Sequence, residues 1–417
     1  MTDAQPPHRP QPMWVYLVLY LPYGIGAGYV TVTLAWLLSH AGADVQAIAV
    51  LGSMAVLPNT WKVLWAPAVD IFLSAKAWFL IGVVGSAAGL AATAVLPLRL
   101  DLVAAFEILV LATSFFGSIT AISVDRFMAF DVAEDAKGRA GGWSQAGNLG
   151  GTGLGGGLGL FLAQHSGHPW IGGAVLVPIS LVCAIPLLWL AEPGRMQSAK
   201  GYLAVLWETV LDTVSLVRRR IGILACFLMV LPIGSGGLQI LWAAIAKDWS
   251  AGADEVALVG GLLSGLVCIP GCILGGMIAD RIDRKRAYAL FGIALSLTAV
   301  AMALGPRTPT AFLVFASFYN GVVGFCYGAY SAVTLEAIGK GAAGTKFNLI
   351  SSLSNVPILV VALIDGWAET HFGSTGMLLT EAGLGLGGVA IYSLVAVATR
   401  GLTWGVFFGR GKVTAGP

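Results

Sequence analysis

Residues 275–286, GGMIADRIDRKR, end a long apolar run with a dense group of charges. Residues 61–70, WKVLWAPAVD, end an earlier apolar run in a similar way, and Asp70 lies 210 positions before Asp280. Charge is rare elsewhere in the apolar parts of this chain. The two stretches therefore predict equivalent turns in two copies of one helical unit.

A second pair of segments repeats at nearly the same distance. KGRAGGWSQAGN (137–148) aligns with GTKFNLISSLSN (344–355), which places Lys346 opposite Arg139 and Asn355 opposite Asn148 at an offset of 207. Two nearly equal offsets indicate an internal duplication of six helices, an arrangement found in many membrane proteins.

The composition identifies the class of protein. Of 417 residues, 57% are hydrophobic and 11% are charged, whereas a soluble domain carries about 25% charged residues. The mean hydropathy is +0.84. These values predict an integral membrane protein. The net charge of +2 is too small to indicate a nucleic-acid partner, so membrane lipid is the expected surrounding.

Apolar runs long enough to cross a bilayer occur twelve times. A hydrocarbon core of about 30 Å needs about 20 residues of helix. The sequence therefore predicts an all-α protein with twelve transmembrane helices in two pseudo-symmetric bundles of six. The predicted spans are 14–39, 45–65, 77–97, 102–129, 140–163, 170–190, 221–245, 256–279, 287–305, 310–338, 347–366 and 376–398.

These spans divide the chain into a tail (1–13), a first bundle (14–190), a linker (191–220), a second bundle (221–398) and a second tail (399–417). Apolar residues recur at helical spacing from Leu203 to Val217, which predicts an interfacial helix in the linker. One side of the predicted membrane receives three basic residues, Arg99, Lys247 and Arg307. The other 20 of the 23 lie opposite. The positive-inside rule then places both termini in the cytoplasm.

GGMIADRIDRKR resembles the loop motif G-x-x-x-D-R-x-G-R-K of the major facilitator superfamily, with Asp283 in place of the usual glycine. The residues of this chain that match the motif are Gly276, Asp280, Arg281, Arg284 and Lys285. The resemblance implies a twelve-helix secondary transporter, monomeric, without a cofactor and acting on a small-molecule substrate. It also implies that the protein is not an enzyme.

Within that superfamily, KVLWAPAVD (62–70) and SVDRFMAFDVAEDAKGRAGG (123–142) resemble AmpG-like muropeptide permeases. Related acetyl-CoA transporters and ferric siderophore permeases carry a similar string. In this chain residues 119–121 are Ile-Thr-Ala, where the AmpG-like pattern has Ser-Gln-Asp. The resemblance implies import of a muropeptide or a ferric siderophore across a bacterial inner membrane, with an acyl-CoA as a third possibility. A non-transporting sensor or assembly factor is the competing class.

Charges at helix ends suit an alternating-access carrier, since they pair in one state and hydrate in another. We expect Asp70 and Asp280 to take part in gating, with Arg126, Arg139 and Lys346 as partners. The alternative is that these charges only set topology and reach the headgroups. Anchoring is the favoured interpretation for Lys62, Arg284 and Lys285, whereas Pro67 is expected to end helix 2.

Polar residues on helices 1, 7 and 10, with the asparagines of the repeat, are the candidates for lining a substrate cavity. On helix 7, Pro232 and its neighbouring glycines predict a break, which is tolerated at membrane depth where a helix lines a cavity. Packing and an aromatic belt are the alternatives for the tyrosines, and interhelical hydrogen bonding is the alternative for the asparagines. The candidates are Tyr16, Tyr20, Tyr23, Gln239, Trp242, Asn320, Tyr327, Ser331, Thr334, Asn148 and Asn355.

Proton coupling requires a titratable group inside the spans. Glu107 and Asp125 are the candidates, although an ion pair with Arg126 is the favoured interpretation of Asp125. Asp365 and Glu381 are expected at solvated outer ends. The residues offer no metal site, and the glycine-rich run 147–160 is predicted to pack helices closely rather than to bind a nucleotide.

Overall fold

The computed structural model describes residues 11–43, 45–193, 207, 211, 220–338 and 343–399. Throughout these residues the regular structure is helical, which agrees with the predicted all-α class. The interfacial helix predicted in the linker lies outside the described residues, apart from residues 207 and 211.

Apolar runs separated by short turns form the helices of the first half. Two π-helical turns, Tyr29–Leu34 and Leu154–Leu158, lie within the first and fifth predicted spans and divide each of them into two helices. The helices are α1 (Trp14–Gly28), α2 (Ala35–His40), α3 (Val45–Trp61), α4 (Ala66–Ile71), α5 (Ala75–Val95), α6 (Val103–Asp131), α7 (Lys137–Gly153), α8 (Gly159–His165) and α9 (Trp170–Val182).

The second half repeats the pattern with two differences. The predicted seventh span is broken, because Gly234 (φ 62°) and Gly236 (φ 70°) adopt left-handed conformations that favour glycine. The last two predicted spans follow each other around Gly373 (φ 67°) within α16. The helices are α10 (Arg220–Val230), α11 (Trp242–Ile245), α12 (Ala253–Gly260), α13 (Leu262–Arg281), α14 (Arg284–Leu304), α15 (Pro309–Ile338) and α16 (Ala343–Ala398).

Eight helical segments of the described residues are long and apolar enough to cross a membrane. The last of them, residues 350–398, is 49 residues long, more than twice what one crossing needs. The shorter α3, the glycine-rich α7 and the broken segment around α10 and α11 are not among the eight. Twelve spans therefore stay a prediction.

The prediction that Pro67 ends helix 2 is wrong. The helix α3 ends at Trp61, a 3-10 turn follows at Lys62–Leu64, and Pro67 lies in the first turn of α4. Proline is tolerated there because the first turn of a helix does not need its N–H groups for internal hydrogen bonds. The break before Pro67 turns the chain, and it sets the direction of Lys62.

The two halves pack closely along α7, α13 and α15. Where α7 crosses α13, a Cβ added to Gly153 would lie 2.6 Å from the Cα of Gly265. Apolar side chains from both halves also form one buried cluster that includes Tyr16, Phe127 and Val333. Small residues and this shared core thus pack the two halves against each other.

Candidate functional site

A cavity of about 260 Å³ lies between the two halves, and side chains of both halves line it. Several helices contribute polar groups, although the surrounding interior is apolar. The polar lining consists of Tyr20, Tyr23, Thr31, Asn59, Lys62, Gln145, Asn148, Ser235, Tyr288, Tyr327, Tyr330, Ser351, Ser354 and Asn355.

Lys62 lies in the 3-10 turn after α3 and points into this cavity. It is 7% exposed, and its Nζ donates a hydrogen bond to Oγ of Ser351 in α16 at 3.2 Å. The interpretation of Lys62 as a headgroup anchor is therefore wrong, because the break after Trp61 turns it inward. Among the described residues that line the cavity, Lys62 carries the sole positive charge.

Asp125 is a buried carboxylate beside the cavity. It accepts a hydrogen bond from the hydroxyl of Tyr20 at 3.0 Å, and it lies close enough to Lys62 for their charges to interact. The alternative of an ion pair with Arg126 is wrong, because consecutive residues of a helix do not face the same way. Arg126 instead faces Asp70, with Nε 3.9 Å from Oδ1.

Asp280 joins the two halves at the end of the bundle that also carries Asp70, Arg139 and Arg284, here named the charged end. Its Oδ1 accepts a hydrogen bond from the backbone N–H of Gly138 at 2.7 Å, and its Oδ2 accepts one from the backbone N–H of Arg139 at 2.8 Å. The helix α7 has no capping side chain of its own. Asp280 therefore caps the N-terminus of a helix in the other half, where a negative charge is favoured.

Arg284 and Lys285 extend this network instead of anchoring in headgroups. Arg284 lies 3.3 Å from Asp280 and 3.4 Å from Glu336, and Lys285 is paired with the same glutamate. Arg284 also donates to the carbonyl oxygen of Glu134 in the first half. Both side chains are largely buried, and Arg284 has partners in both halves.

Sequence reasoning missed Lys137, which bridges the halves. Its Nζ donates to the carbonyl oxygen of Leu335 at 2.8 Å and to Glu134 at 2.7 Å. A signal was available, because a cation in the first turn of a helix opposes the helix dipole and needs another partner.

The remaining candidates fall into two groups. Five line the cavity: Tyr20, Tyr23, Asn148, Tyr327 and Asn355. The others lie elsewhere: Tyr16 in the shared core, Ser331 against Gly141, Thr334 bonded to the carbonyl oxygen of Tyr330, Gln239 bonded to the buried Asn320, and Trp242 against Tyr319.

Two motif residues and one proton-coupling candidate have different surroundings. Gly276 packs against Gly138 and Gly142, Arg281 is exposed, and Glu107 is half-buried on α6. The side chain of Lys346 lies outside the described residues. The expectation that Asp365 and Glu381 are solvated is wrong, since their exposed fractions are 0% and 5%.

Comparisons with known proteins agree with this architecture. The sequence model described as Major Facilitator Superfamily matches residues 16–362. The anhydromuropeptide permease of Escherichia coli K12 is 25% identical over 237 residues, 54% of this chain and 47% of the permease. The 3-(3-hydroxy-phenyl)propionate transporter of the same strain is 32% identical over 202 residues, 46% of each chain. The matches thus span about half the length of these curated relatives.

Solved structures share the fold at low sequence identity. The human organic anion transporter MFSD10 has a TM-score of 0.68 with 16% identity, over 93% of this chain and all of that one. The proton:xylose symporter XylE has a TM-score of 0.67 with 14% identity, over 92% and 96%. The Escherichia coli fucose:proton symporter FucP has a TM-score of 0.69 with 13% identity, over 92% and 98%.

Proposed function

The chain belongs to the Major Facilitator Superfamily, and from that premise we propose that it is a secondary transporter of a small carboxylate in a bacterial inner membrane. The observation that carries this proposal is Lys62, a positive charge enclosed in the cavity between the halves. A buried charge is costly unless it is paired, so Lys62 favours an anionic solute that completes its pairing.

The volume of the cavity limits the size of this solute. Drug-sized ligands occupy pockets of about 300–1,000 Å³, and this cavity measures about 260 Å³. A compact aromatic or aliphatic acid fits that space, and one relative is named for a hydroxyphenylpropionate. A muropeptide or a ferric siderophore would require a wider state of the cavity. An acyl-CoA carries several negative charges, which one lysine balances poorly.

Proton coupling is proposed to act through Asp125 and Lys62. In the described state Asp125 and Ser351 are the partners of Lys62. A proton on Asp125 removes its negative charge and leaves Lys62 free to pair with the carboxylate of the solute. The other candidate, Glu107, is not among the groups that act electrostatically on Lys62. Binding of proton and of solute would then favour each other, as cotransport requires.

Gating is proposed to occur at the charged end. The distribution of basic residues predicts that this end faces the cytoplasm. The hydrogen bonds of Asp280 to Gly138 and Arg139 support this proposal, because they link the two halves at this end in the described state. When the halves rock apart, water replaces the carboxylate of Asp280 at the backbone N–H groups of Gly138 and Arg139. These N–H groups therefore keep hydrogen-bond partners in the open state. Asp70 with Arg126 is proposed as the corresponding element of the first half.

Thermal denaturation of the purified protein with added solutes tests the proposed substrate class. We expect 3-phenylpropionate to raise the midpoint and its neutral analogue 3-phenylpropanol to leave it unchanged, because ligands stabilise the state that they bind. Lys62→Gln should weaken the apparent affinity at least about tenfold, since hydrogen bonds to charged groups contribute about 1.5–3 kcal/mol. Lys247→Gln is the matched control, because Lys247 is exposed and outside the cavity.

Equal stabilisation by the alcohol, or unchanged affinity in Lys62→Gln, would contradict a carboxylate substrate. Muropeptides and ferric siderophores belong in the same series of solutes. Uptake into proteoliposomes then separates a transporter from a membrane sensor, which binds the solute without accumulating it. Collapse of the proton gradient should abolish accumulation if Asp125 couples transport to protons.

A further inference from the structure

Two carboxyl groups face each other inside the second half, away from the cavity. Asp365 lies before Gly373 in α16 and Glu381 lies after it, so they belong to the two segments that this glycine joins. Their exposed fractions are 0% and 5%. Neither residue lines the cavity between the halves. The pair is therefore distinct from the site of Lys62 and Asp125.

The surroundings of the pair are poor in hydrogen-bond donors. The hydroxyl of Tyr319, on α15, donates to Oε1 of Glu381, and the backbone N–H of Leu238 lies near the same carboxyl group. In the described residues no N–H or O–H group donates to Oε2 of Glu381 or to either carboxyl oxygen of Asp365. Three buried carboxyl oxygens of this pair thus lack a hydrogen-bond donor among the described residues.

Among the residues that the structure describes, positive charge is also missing around the pair. The groups that act electrostatically on the two carboxyls are each other and Tyr319, and the thiol of Cys326 acts in turn on Tyr319. The segment between α10 and α11 contributes Leu238 through its backbone. Across the described part of the chain, no Lys or Arg side chain forms an ion pair with Asp365 or Glu381.

Two adjacent carboxylates cannot both remain ionised in such surroundings, because like charges repel strongly where water is excluded. A single proton on one group removes one charge and supplies the missing donor to the other. We propose that Asp365 and Glu381 form a proton-binding site that holds one proton between them, in the half of the molecule that does not contain Asp125.

This site is connected to the cavity through the broken segment between α10 and α11. Gly234 and Ser235 of that segment line the cavity, and Leu238 of the same segment lies beside Glu381. Loss of the proton would make Asp365 and Glu381 repel each other across Gly373. This repulsion would displace Leu238, which is only three residues from Ser235 in the cavity wall. The presence or absence of the proton therefore adjusts the shape of the cavity.

Infrared spectroscopy of the purified protein tests the site without any solute. A protonated carboxyl group has a C=O stretch that is resolved from the bands of carboxylates and amides. We expect this band at neutral pH in the unmodified protein and its loss in the double variant Asp365→Asn, Glu381→Gln. The control Glu107→Gln changes a half-buried carboxyl outside the pair and should retain the band.

A second measurement follows the thermal midpoint as the pH is raised. The folded protein keeps a proton that free carboxyl groups, which titrate near pH 4, release. The folded state then binds more protons than the unfolded chain, so its stability falls with rising pH. Glu381→Gln should flatten this fall, and Glu107→Gln should not.

Absence of the band in the unmodified protein, or its full persistence in the double variant, would overturn the proposal. If the double variant does not fold, the pH dependence of the thermal midpoint of Glu381→Gln tests the proposal by itself. Because neither measurement uses a solute, failure of the carboxylate-transport proposal would leave these results unaffected. Failure of the proton site would likewise leave the role of Lys62 untouched.

Discussion

At the scale of single residues, Asp280 caps the N-terminus of a helix that lies far from it in the chain. A helix leaves its first N–H groups without internal partners, and a side chain just before the helix usually accepts from them. Here the acceptor for α7 comes from the end of α13 in the other half. In the gating proposed above, the contact that closes the charged end is also the contact that caps α7.

Asp280→Asn should weaken this closure. The neutral amide can accept one of the two hydrogen bonds but loses the charge that strengthens both, which we expect to cost about 1.5–3 kcal/mol. Amide hydrogen exchange in the first turn of α7 should therefore accelerate about tenfold or more. Hydrogen exchange followed by mass spectrometry measures this directly.

Asp283→Asn is the matched control for this measurement. Asp283 also caps a helix, but its carboxylate accepts from the backbone N–H of Arg286 at 3.0 Å, in the helix that directly follows it, α14. Exchange in α14 should change and exchange in α7 should not. Equal effects of the two substitutions on α7 would show that the halves are held together without Asp280.

Lys62 and Asp125 show what the sequence could predict at this scale. Both are charges in apolar surroundings, and that rarity identified Asp125 as a candidate. The direction of each side chain depends on where a helix breaks and how it is rotated. For Lys62 the break after Trp61 decided the direction, and neighbouring residues alone do not specify it.

At the scale of elements, glycines determine how closely the helices approach. The glycine-rich run of α7 was predicted to pack closely, and the structure agrees, since added Cβ atoms would collide with the backbone of α1 and of α13. The sequence indicated a small-residue face but not its partners. Two opposite faces of α7 are used, one within the first half and one between the halves.

Gly265→Ala should disrupt the contact between α7 and α13. An added Cβ would lie 2.7 Å from the Cα of Gly153, which backbone atoms cannot relieve without separating the helices. We expect a cost of about 1–3 kcal/mol and a lower thermal midpoint in detergent.

Gly366→Ala, in α16, is the control for this substitution. A Cβ added there has no atom within 4 Å, and alanine favours a helix over glycine by about 1 kcal/mol. Its midpoint should stay the same or rise. If both variants behaved alike, backbone propensity and not helix contact would determine the effect.

At the scale of the whole molecule, the repeat accounts for the positions of the important charges. Asp70 and Asp280 occupy equivalent places, yet their surroundings differ: Asp70 faces Arg126 of its own half, and Asp280 also caps a helix of the other half. The two aspartates that the predicted repeat pairs thus have unlike surroundings.

Reporter insertions test the predicted orientation of the molecule. Alkaline phosphatase inserted after Arg99, Lys247 or Arg307 should be active, because these loops are predicted to face the periplasm. Insertion after Asp283 should give an inactive enzyme, since the positive-inside rule keeps that loop in the cytoplasm. Activity at Asp283 would contradict the orientation. Activity at Asp283 together with activity at Lys247 or Arg307 would also contradict the single span predicted between Asp283 and each of those loops.

The sequence by itself determined the class, the helical architecture, the duplicated charged turns and the family resemblance. Each of these depends on composition, run length or motif spacing, which are properties of neighbouring residues. Only the tertiary structure decided that Lys62 faces a cavity, that Asp280 caps a helix across the interface, and that Asp365 and Glu381 meet in the interior. These contacts join residues far apart in the chain. Helix rotation and the local breaks around glycine and proline decide which of them form.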